Sequence, residues 1–541
     1  MNHYQQGWWS PSETIPGQGK ISYHEALRLI RQPLYMIRTS GTLEAKTDGT
    51  VHFGGNKTDN GAFALAGYAP PCPVEQLGDP QFCTDHGILY PYLAGSMAKG
   101  ISSVAMVEAM AHGGMLGFFG AAGLPLAAVE AAIERLSANA ATFAYGFNLI
   151  HSPQERDLEN ALVDLYIRKG VRLVEASAFL ELTLPVVRYR LHGIHRDPSG
   201  AIVTPNRIIA KISREEVAAR FMAPPAERFL RQLLAAGDIT AEQAELAGQI
   251  PVAQDITAEA DSGGHTDNRP ALALFPTICA LRDRLQEQHR YGQRLRIGLA
   301  GGISTPLSAA AAFAMGAAYI MTGTVNQACV ESDTSDEARL MLAETRQADV
   351  AMAPAADMFE MGVTVQVLKR GTMFPMRAEK LYELYRSCAG IAAIPEAERE
   401  KLEKTVFRSP LEEIWRDTRA YFLKRDPQQL ERAERDEKHR LALVFRWYLG
   451  QAAHWAKDGE SSRRIDYQVW CGPAMGAFNE WATGSFLETP ANRRVVTVAL
   501  NILHGAAVIM RSNTLHNQGV RFSPELSPAP LEFAQIKEYL S

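Results

Sequence analysis

Residues 295–324 read LRIGLAGGISTPLSAAAAFAMGAAYIMTGT. An apolar run, LRIGLA, has strand character and stops at Gly301-Gly302. Ser304 and Thr305 then stand where they can cap an Ala-rich helix opened by Pro306, and a second apolar run stops at Gly323-Thr324, 21 residues on from Gly302. Strand, glycine turn, capped helix and strand make one βαβ unit, which requires the two strands to be parallel.

The same alternation spreads outward in both directions. GILYPYLAGSMA leads into SSVAMVEAMAHGG, ATFAYGFNL precedes SPQERDLENALVDLYIRKG, VRLVEASAF follows it, and RIIAKIS precedes REEVAARF. A helical ITAEQAELAGQ then runs into IPVAQDITAE. Some seven β-then-α units between about residues 86 and 335 predict an α/β fold, a closed (β/α)8 barrel rather than an open doubly wound sheet. Residues 1–85 read as a small β-rich segment in which Asp48-Gly49 gives a hairpin signal. Beyond about residue 333 the strand signal disappears, and residues 336–480 read as a helical domain. Residues 481–541 hold a last helix, NRRVVTVALNILHGAAVIMRSN, placed to close the ring.

Composition narrows the class. The chain has 541 residues, 46% of them hydrophobic, and a formal charge of −5, too mild to suggest nucleic-acid binding. Its six cysteines are scattered without a CxxC pair, which suits a reducing cytoplasm. Residues 1–20 lack the apolar core of a leader peptide, and the most apolar window, 309–321, is too short to cross a membrane.

In such a barrel the C-terminal strand ends carry function. Gly301-Gly302 and Gly323-Thr324, on consecutive strands, form an anion cradle of bare amides. Ala94, Gly95 and Ser96 beside Met97, at the first strand end, let a flat ring approach backbone. In the stretch EADSGGHTDN, Gly264 and the glycine before it set His265 over the barrel mouth. Asn148 and Lys211 are polar residues inside apolar strands, so alternation turns them to the pocket, where a cation would offset an electron-rich ring. The plainer readings are tight βα turns, helix–strand packing, a turn asparagine and an exposed strand-end lysine. A metal is not expected: Asp261, His265 and Asp267 have no second histidine or cysteine at ligand spacing.

These motifs, YLAGSMAKGISSVAMVEAMAHGGMLGFFG, GFNLI, EADSGGH and the opening stretch, together resemble the FMN-dependent barrels of the nitronate monooxygenase and flavin enoyl reductase superfamily. FEMGVTVQVLKRGTMFPMRAEKLYELY and DYQVWCGPAMGAFNEW more specifically resemble the trans-acting enoyl reductases of trans-acyltransferase polyketide synthases and of polyunsaturated fatty acid synthases. The resemblance runs over nearly the whole chain. It implies FMN at the barrel mouth, with its phosphate on Gly301-Gly302 and Gly323-Thr324, its ring against Ala94 to Met97, and Asn148, Lys211 and Gly264 as further contacts. One departure is Asp261, where the superfamily usually carries glutamate, which bears on the loop's path and the reach of His265.

The activity so implied is reduction of an enoyl thioester on an acyl carrier protein, driven by NADPH. His265 is then a hydrogen-bond donor or acid, or else a structural contact of the flavin. No GxGxxG motif follows a strand, so NADPH would share the mouth with the acyl substrate in turn. The helical domain serves as a methionine-rich lid. Lys369-Arg370 with Arg377 and Lys380, Arg463-Arg464, and Arg493-Arg494 are candidate receivers of the carrier's phosphate; the bland reading of each is a solvated helix face. Expected partners are the carrier protein and, at most, a second copy in a homodimer, with no membrane or nucleic acid. The competing readings are a nitronate monooxygenase passing electrons to oxygen and a non-catalytic carrier-docking protein.

Overall fold

The computed structural model describes residues 6–11, 21–57, 61–138, 143–151, 156–522 and 527–541. Most of the stretch weighed as a leader peptide, and residues 152–155 at the expected start of a helix, lie outside these.

Strands β1 (Gly7–Ser10), β2 (Leu34–Thr39), β3 (Thr42–Lys46), β4 (Thr50–Phe53) and β5 (Phe63–Ala69) form an antiparallel sheet in the order β3-β2-β5-β1-β4. The tight hairpin joins β2 to β3 at Ser40-Gly41, with φ of 50° and 86°, the two positive values a type I′ turn demands. Asp48-Gly49, expected to make that turn, instead links β3 to β4, which do not pair. There the Trp9 indole donates to the Asp48 carbonyl at 2.7 Å and would lie 2.5 Å from any Cβ on Gly49.

The barrel is the one the sequence predicts. Its strands are β6 (Tyr92–Ala94), β7 (Leu116–Phe119), β8 (Gly146–Ile150), β9 (Leu173–Ser177), then, past a small hairpin of β10 (His195–Arg196) and β11 (Ile202–Val203), β12 (Arg207–Ile212) and β13 (Asp255–Glu259). After β14 (Gly264–His265) come β15 (Arg296–Ala300) and β16 (Ile320–Thr322), and β16 pairs back onto β6 with Ile320 opposite Tyr92. All eight neighbours are parallel and the ring is closed.

The opening stretch folds as expected: Thr305 accepts from the Ser308 amide in a capping box at the start of the helix Pro306–Ala314. The strands' N-terminal ends hold a buried ion-pair set. Arg296 reaches Asp255 at 2.6 Å and Asp85 at 2.7 Å, and His86 lies 2.9 Å from Asp255. The C-terminal ends open into a cavity.

After β16 the chain leaves the barrel and returns only at the helix Val495–Asn517. That helix fills the eighth helical position. Gly505 lies so close to the Pro306 ring that a Cβ would come within 2.6 Å, and Val496 packs over Gly113 at the end of the first barrel helix. Its length and composition would let it cross a membrane, but it is mostly buried inside the protein.

The inserted segment is not purely helical, contrary to the sequence expectation. β17 (Val350–Pro354) and β18 (Thr364–Leu368) form an antiparallel pair, and β18 extends it by pairing with β14. Each strand is only five residues long, too short for its alternation to stand out in a helix-rich stretch. The helices Phe374–Ser387, Leu411–Arg425 and Glu437–Asp458 enclose a second core of Phe359, Phe374, Leu381, Phe407, Phe445 and Tyr448.

Candidate functional site

The barrel's C-terminal face and the insert enclose a cavity of about 790 Å³. Gly95, Ser96, Met97, Asn148, Lys211, Gly264, His265, Gly301, Gly302, Gly323 and Thr324 all line it. Ala94 does not. It is fully buried in β6, its side chain among the residues packed outside the strands, so the ring wall begins one residue later, at Gly95.

The cradle is bare backbone. Gly301 (φ 82°) has the Ala260 carbonyl carbon 2.5 Å from where a Cβ would stand, so no other residue fits there. Gly302 and Gly323 face open space: nothing lies within 4 Å of an added Cβ on either. Close by in sequence, the Ser304 hydroxyl is buried without a hydrogen-bond partner. Open glycines, an orphaned hydroxyl and the capped start of the helix Pro306–Ala314 fit a phosphate. The Thr324 hydroxyl, by contrast, accepts from the Gly472 amide at 3.3 Å and so ties the cradle to the insert.

At the facing wall, a side chain on Gly95 would strike the Met321 sulfur at 2.9 Å, which keeps that surface flat. The Ser96 amide donates to Glu175 at 2.8 Å, and the Ser96 hydroxyl bonds the same carboxylate. Glu175, Lys211 and Glu259 stand on the three adjacent strands β9, β12 and β13, with Lys211 Nζ 3.2 Å from Glu259 Oε1. Burial disfavours the Lys211 ammonium, but the Glu259 and Glu175 carboxylates outweigh it and hold the lysine above its ordinary value. Burial pushes Glu175 up, against the pull of Lys211 and Ser96, and its Oε1 has no hydrogen-bond partner. Asn148 spends its amide on the wall, donating to Ser177 at 2.8 Å and to the Glu175 carbonyl at 3.3 Å.

His265 is held by the insert. Gly264 pairs with Gln366 and His265 with Val365. Nε2 of His265 lies 3.1 Å from Oδ1 of Asp357, on the connection between β17 and β18. Both side chains keep about a third of their surface accessible, 32% and 38%, and both line the cavity, so they are deeply set but open to it. Burial opposes the imidazolium, yet the Asp357 carboxylate wins and raises the histidine, while His265 in turn lowers Asp357.

The two glycines have separate tasks. Gly263 lets the loop lie against the Cys471–Gly472 backbone, 2.9 Å from where a Cβ would be, and Gly264 takes a left-handed turn (φ 79°) beside Trp470. Asp261, in the superfamily's glutamate position, accepts from Gln366 and Asn268, both at 2.8 Å, so it fastens the loop to β18. Asp267 is drawn down to about 2, first by its hydrogen bond to Arg214 and then by Ser213.

Several lining residues escaped the sequence reading. Glu175 carried the signal that marked Lys211, a charge inside an apolar strand. Asp357, Trp447 and Trp470 come from the insert and carried none. None of the basic runs proposed as phosphate receivers lines the cavity. Arg377 and Arg463 bond the buried Asp466, Arg370 lies 3.5 Å from Asp349, Lys380 3.5 Å from Glu398, and Arg464 3.6 Å from Glu337. Arg493 is buried and donates to the Leu487 carbonyl at 2.8 Å, and Arg494 lies 4.0 Å from Glu331.

The chain as a whole resembles a solved structure. The enoyl reductase domain of MlnA, from the macrolactin biosynthesis cluster of Bacillus amyloliquefaciens, is 41% identical and superposes with a TM-score of 0.78, covering 82% of this chain and 99% of that domain. The chain belongs to this enoyl reductase family. A polyunsaturated fatty acid synthase polypeptide of Thraustochytrium sp. is 46% identical over 494 residues, 90% of this chain and 32% of the relative. The polyketide biosynthesis protein PksE of Bacillus subtilis is 44% identical over 438 residues, 81% of this chain and 57% of the relative. The chain thus spans between about a third and somewhat over half of these curated relatives. Within the insert, residues 388–467 match the family described as acyl-carrier-protein S-malonyltransferase, inserted helical domain.

Proposed function

We propose that this enoyl reductase acts in trans on enoyl thioesters carried by an acyl carrier protein, for a polyketide or polyunsaturated fatty acid synthase, with FMN as cofactor and NADPH as reductant. One observation carries the reading. A single cavity joins a bare-backbone phosphate cradle, a flat wall and a histidine held by a carboxylate.

FMN, when bound, supplies a centre that accepts a hydride from the nicotinamide and gives one to the β-carbon of the enoyl group. Gly301, Gly302, Gly323 and the Ser304 hydroxyl would hold its phosphate, and Gly95 to Met97 the face of its ring. Lys211, kept charged by Glu259 and Glu175, supplies positive potential to that wall. Negative charge grows on the thioester oxygen as the double bond is reduced, and a preorganised donor there lowers the barrier most. His265, whose charged form Asp357 favours against burial, is that donor, and it is also the acid that can hand the α-carbon its proton. The insert's Trp447, Trp470, Phe422 and Met358 wall the cavity and exclude water. All six cysteines are free, which supports a reducing, cytoplasmic setting.

Anaerobic absorbance tests this. NADPH should bleach the flavin bands of the purified protein, and an enoyl thioester on a carrier protein should restore them without oxygen. Restoration by oxygen alone would instead assign an oxygenase, and a protein that does not bind flavin would refute both.

A further inference from the structure

The outer end of the cavity carries chemistry that the reduction does not use. Lys99 follows the ring wall on the first strand-end loop, in a left-handed conformation (φ 59°), and lines the cavity. Its Nζ donates to the Gly450 carbonyl at 2.9 Å, and among the described residues no carboxylate pairs with it. Arg425 and Tyr421 from the helix Leu411–Arg425, and His454 from the helix Glu437–Asp458, line the same end. Tyr421 and His454 are exposed while Lys99 and Arg425 are half-buried, so this end of the cavity opens to solvent. His454 makes no hydrogen bond to the described protein.

We propose that Lys99, Arg425 and His454 form a phosphate-binding subsite at the cavity rim, distinct from the cradle at Gly301-Gly302. The inference rests on the proposed function, because both of its substrates bring a phosphate: the 4′-phosphopantetheine arm of the carrier, and NADPH at its 2′-position. Either must lie at the outer end when the reacting group reaches the ring wall beside His265. A guanidinium and an ammonium from opposite walls suit a tetrahedral anion. Burial, with Arg425 and Lys457 set against Asp458, draws Lys99 down to about 7, and burial with Lys99 draws His454 down to about 4. Lys457 is itself 2.8 Å from Asp333, and Asp458, the carboxylate that acts on Lys99, makes no ion pair with it among the described residues. A bound phosphate restores the proton that burial removes, and binding above neutral pH takes up protons.

Calorimetry on the flavin-loaded full chain reads this without turnover. The probes are 4′-phosphopantetheine against pantetheine, and adenosine 2′,5′-bisphosphate against adenosine 5′-monophosphate. The phosphorylated member of one pair should bind about tenfold tighter or more, and Lys99→Met and Arg425→Gln should abolish that preference at unchanged flavin content. The pair that shows it identifies the source of the phosphate. On the native chain, the binding heat at pH 8 should also vary with the ionisation enthalpy of the buffer, which holds even where a variant fails to fold. No preference in either pair, or one that survives both substitutions, overturns the subsite. Failure of the function is separate: a chain that prefers phosphopantetheine but reduces no enoyl thioester keeps the subsite and loses the reductase.

Discussion

At His265 two opposing effects meet. Burial disfavours the imidazolium and Asp357, 3.1 Å away, favours it, with the carboxylate prevailing. The folded state therefore holds that proton more tightly than the unfolded chain. The pair's contribution to stability is complete between the ordinary carboxylate range, about pH 4, and the ordinary imidazole value, about 6.5, and fades as pH climbs through the raised folded value. If His265 acts protonated, kcat/KM for the enoyl thioester falls with pH through that same value. Asp357→Asn removes the raising partner, so the falling limb should move to lower pH; a limb that stays put would assign the proton to another group. His265→Gln should slow enoyl reduction by about 10²- to 10⁴-fold while bleaching by NADPH keeps its rate, as stopped-flow absorbance resolves.

The cradle offers a cleaner residue test. Gly323 has negative φ (−125°) and open space before it, so Gly323→Ala should fold with unchanged apo Tm and bind FMN about tenfold or more weakly, a loss near 1.4 kcal/mol. Gly301→Ala, with φ 82° and a carbonyl at 2.5 Å, should instead lower Tm.

The pairing of β14 with β18 decides whether the histidine is in place, and Gln366 is its bolt. Its amide donates to Asp261 at 2.8 Å and to the Ser262 carbonyl at 2.7 Å, and accepts from Asn268 at 3.2 Å, at 5% exposure. Gln366→Leu leaves Asp261 and Asn268 only each other, takes the donor from the Ser262 carbonyl, and should cost roughly 1–3 kcal/mol. Hydrogen exchange should then rise over residues 261–268 but not in the barrel strands; uniform loss of protection would refute a local bolt. This element also marks where reading the sequence reached its limit. The βαβ unit at residues 295–324 was legible because glycine turn, cap and apolar runs are all local. β14 is two residues long and its partner lies about a hundred residues downstream, so no window contains both. For the same reason Lys211 and His265 could be found as oddities within strands and turns, but Asp357 could not. The hairpin went to Ser40-Gly41 rather than Asp48-Gly49 because the sheet's register and the Trp9 indole, both non-local, made the choice. Charged runs failed as site markers for a further reason: the protein spends Arg377, Arg463 and Arg493 on its own buried groups.

Across the whole molecule, barrel and insert share one cavity, and neither encloses it alone. The ring closes through a helix that returns only after the insert, so the insert is threaded between the last strand and its covering helix rather than appended. Three seams join the two parts around the site: β14 to β18, Gly263 to the Cys471–Gly472 backbone, and the Gly472 amide to the Thr324 hydroxyl beside the cradle. A phosphate settling on Gly323 and its neighbours therefore restrains the insert as well as the barrel. FMN at a hundred times its Kd should add about 2.7 kcal/mol to the stability of the folded state and raise Tm accordingly. Hydrogen exchange on FMN binding should then slow in β17, β18 and residues 470–472, and not only at residues 301–304 and 323–324. Protection confined to the barrel would mean that the seams do not transmit it and that the insert moves independently over the mouth. Protection on both sides would mean that loading the cofactor also sets His265 and Asp357 at their working separation, before any substrate arrives.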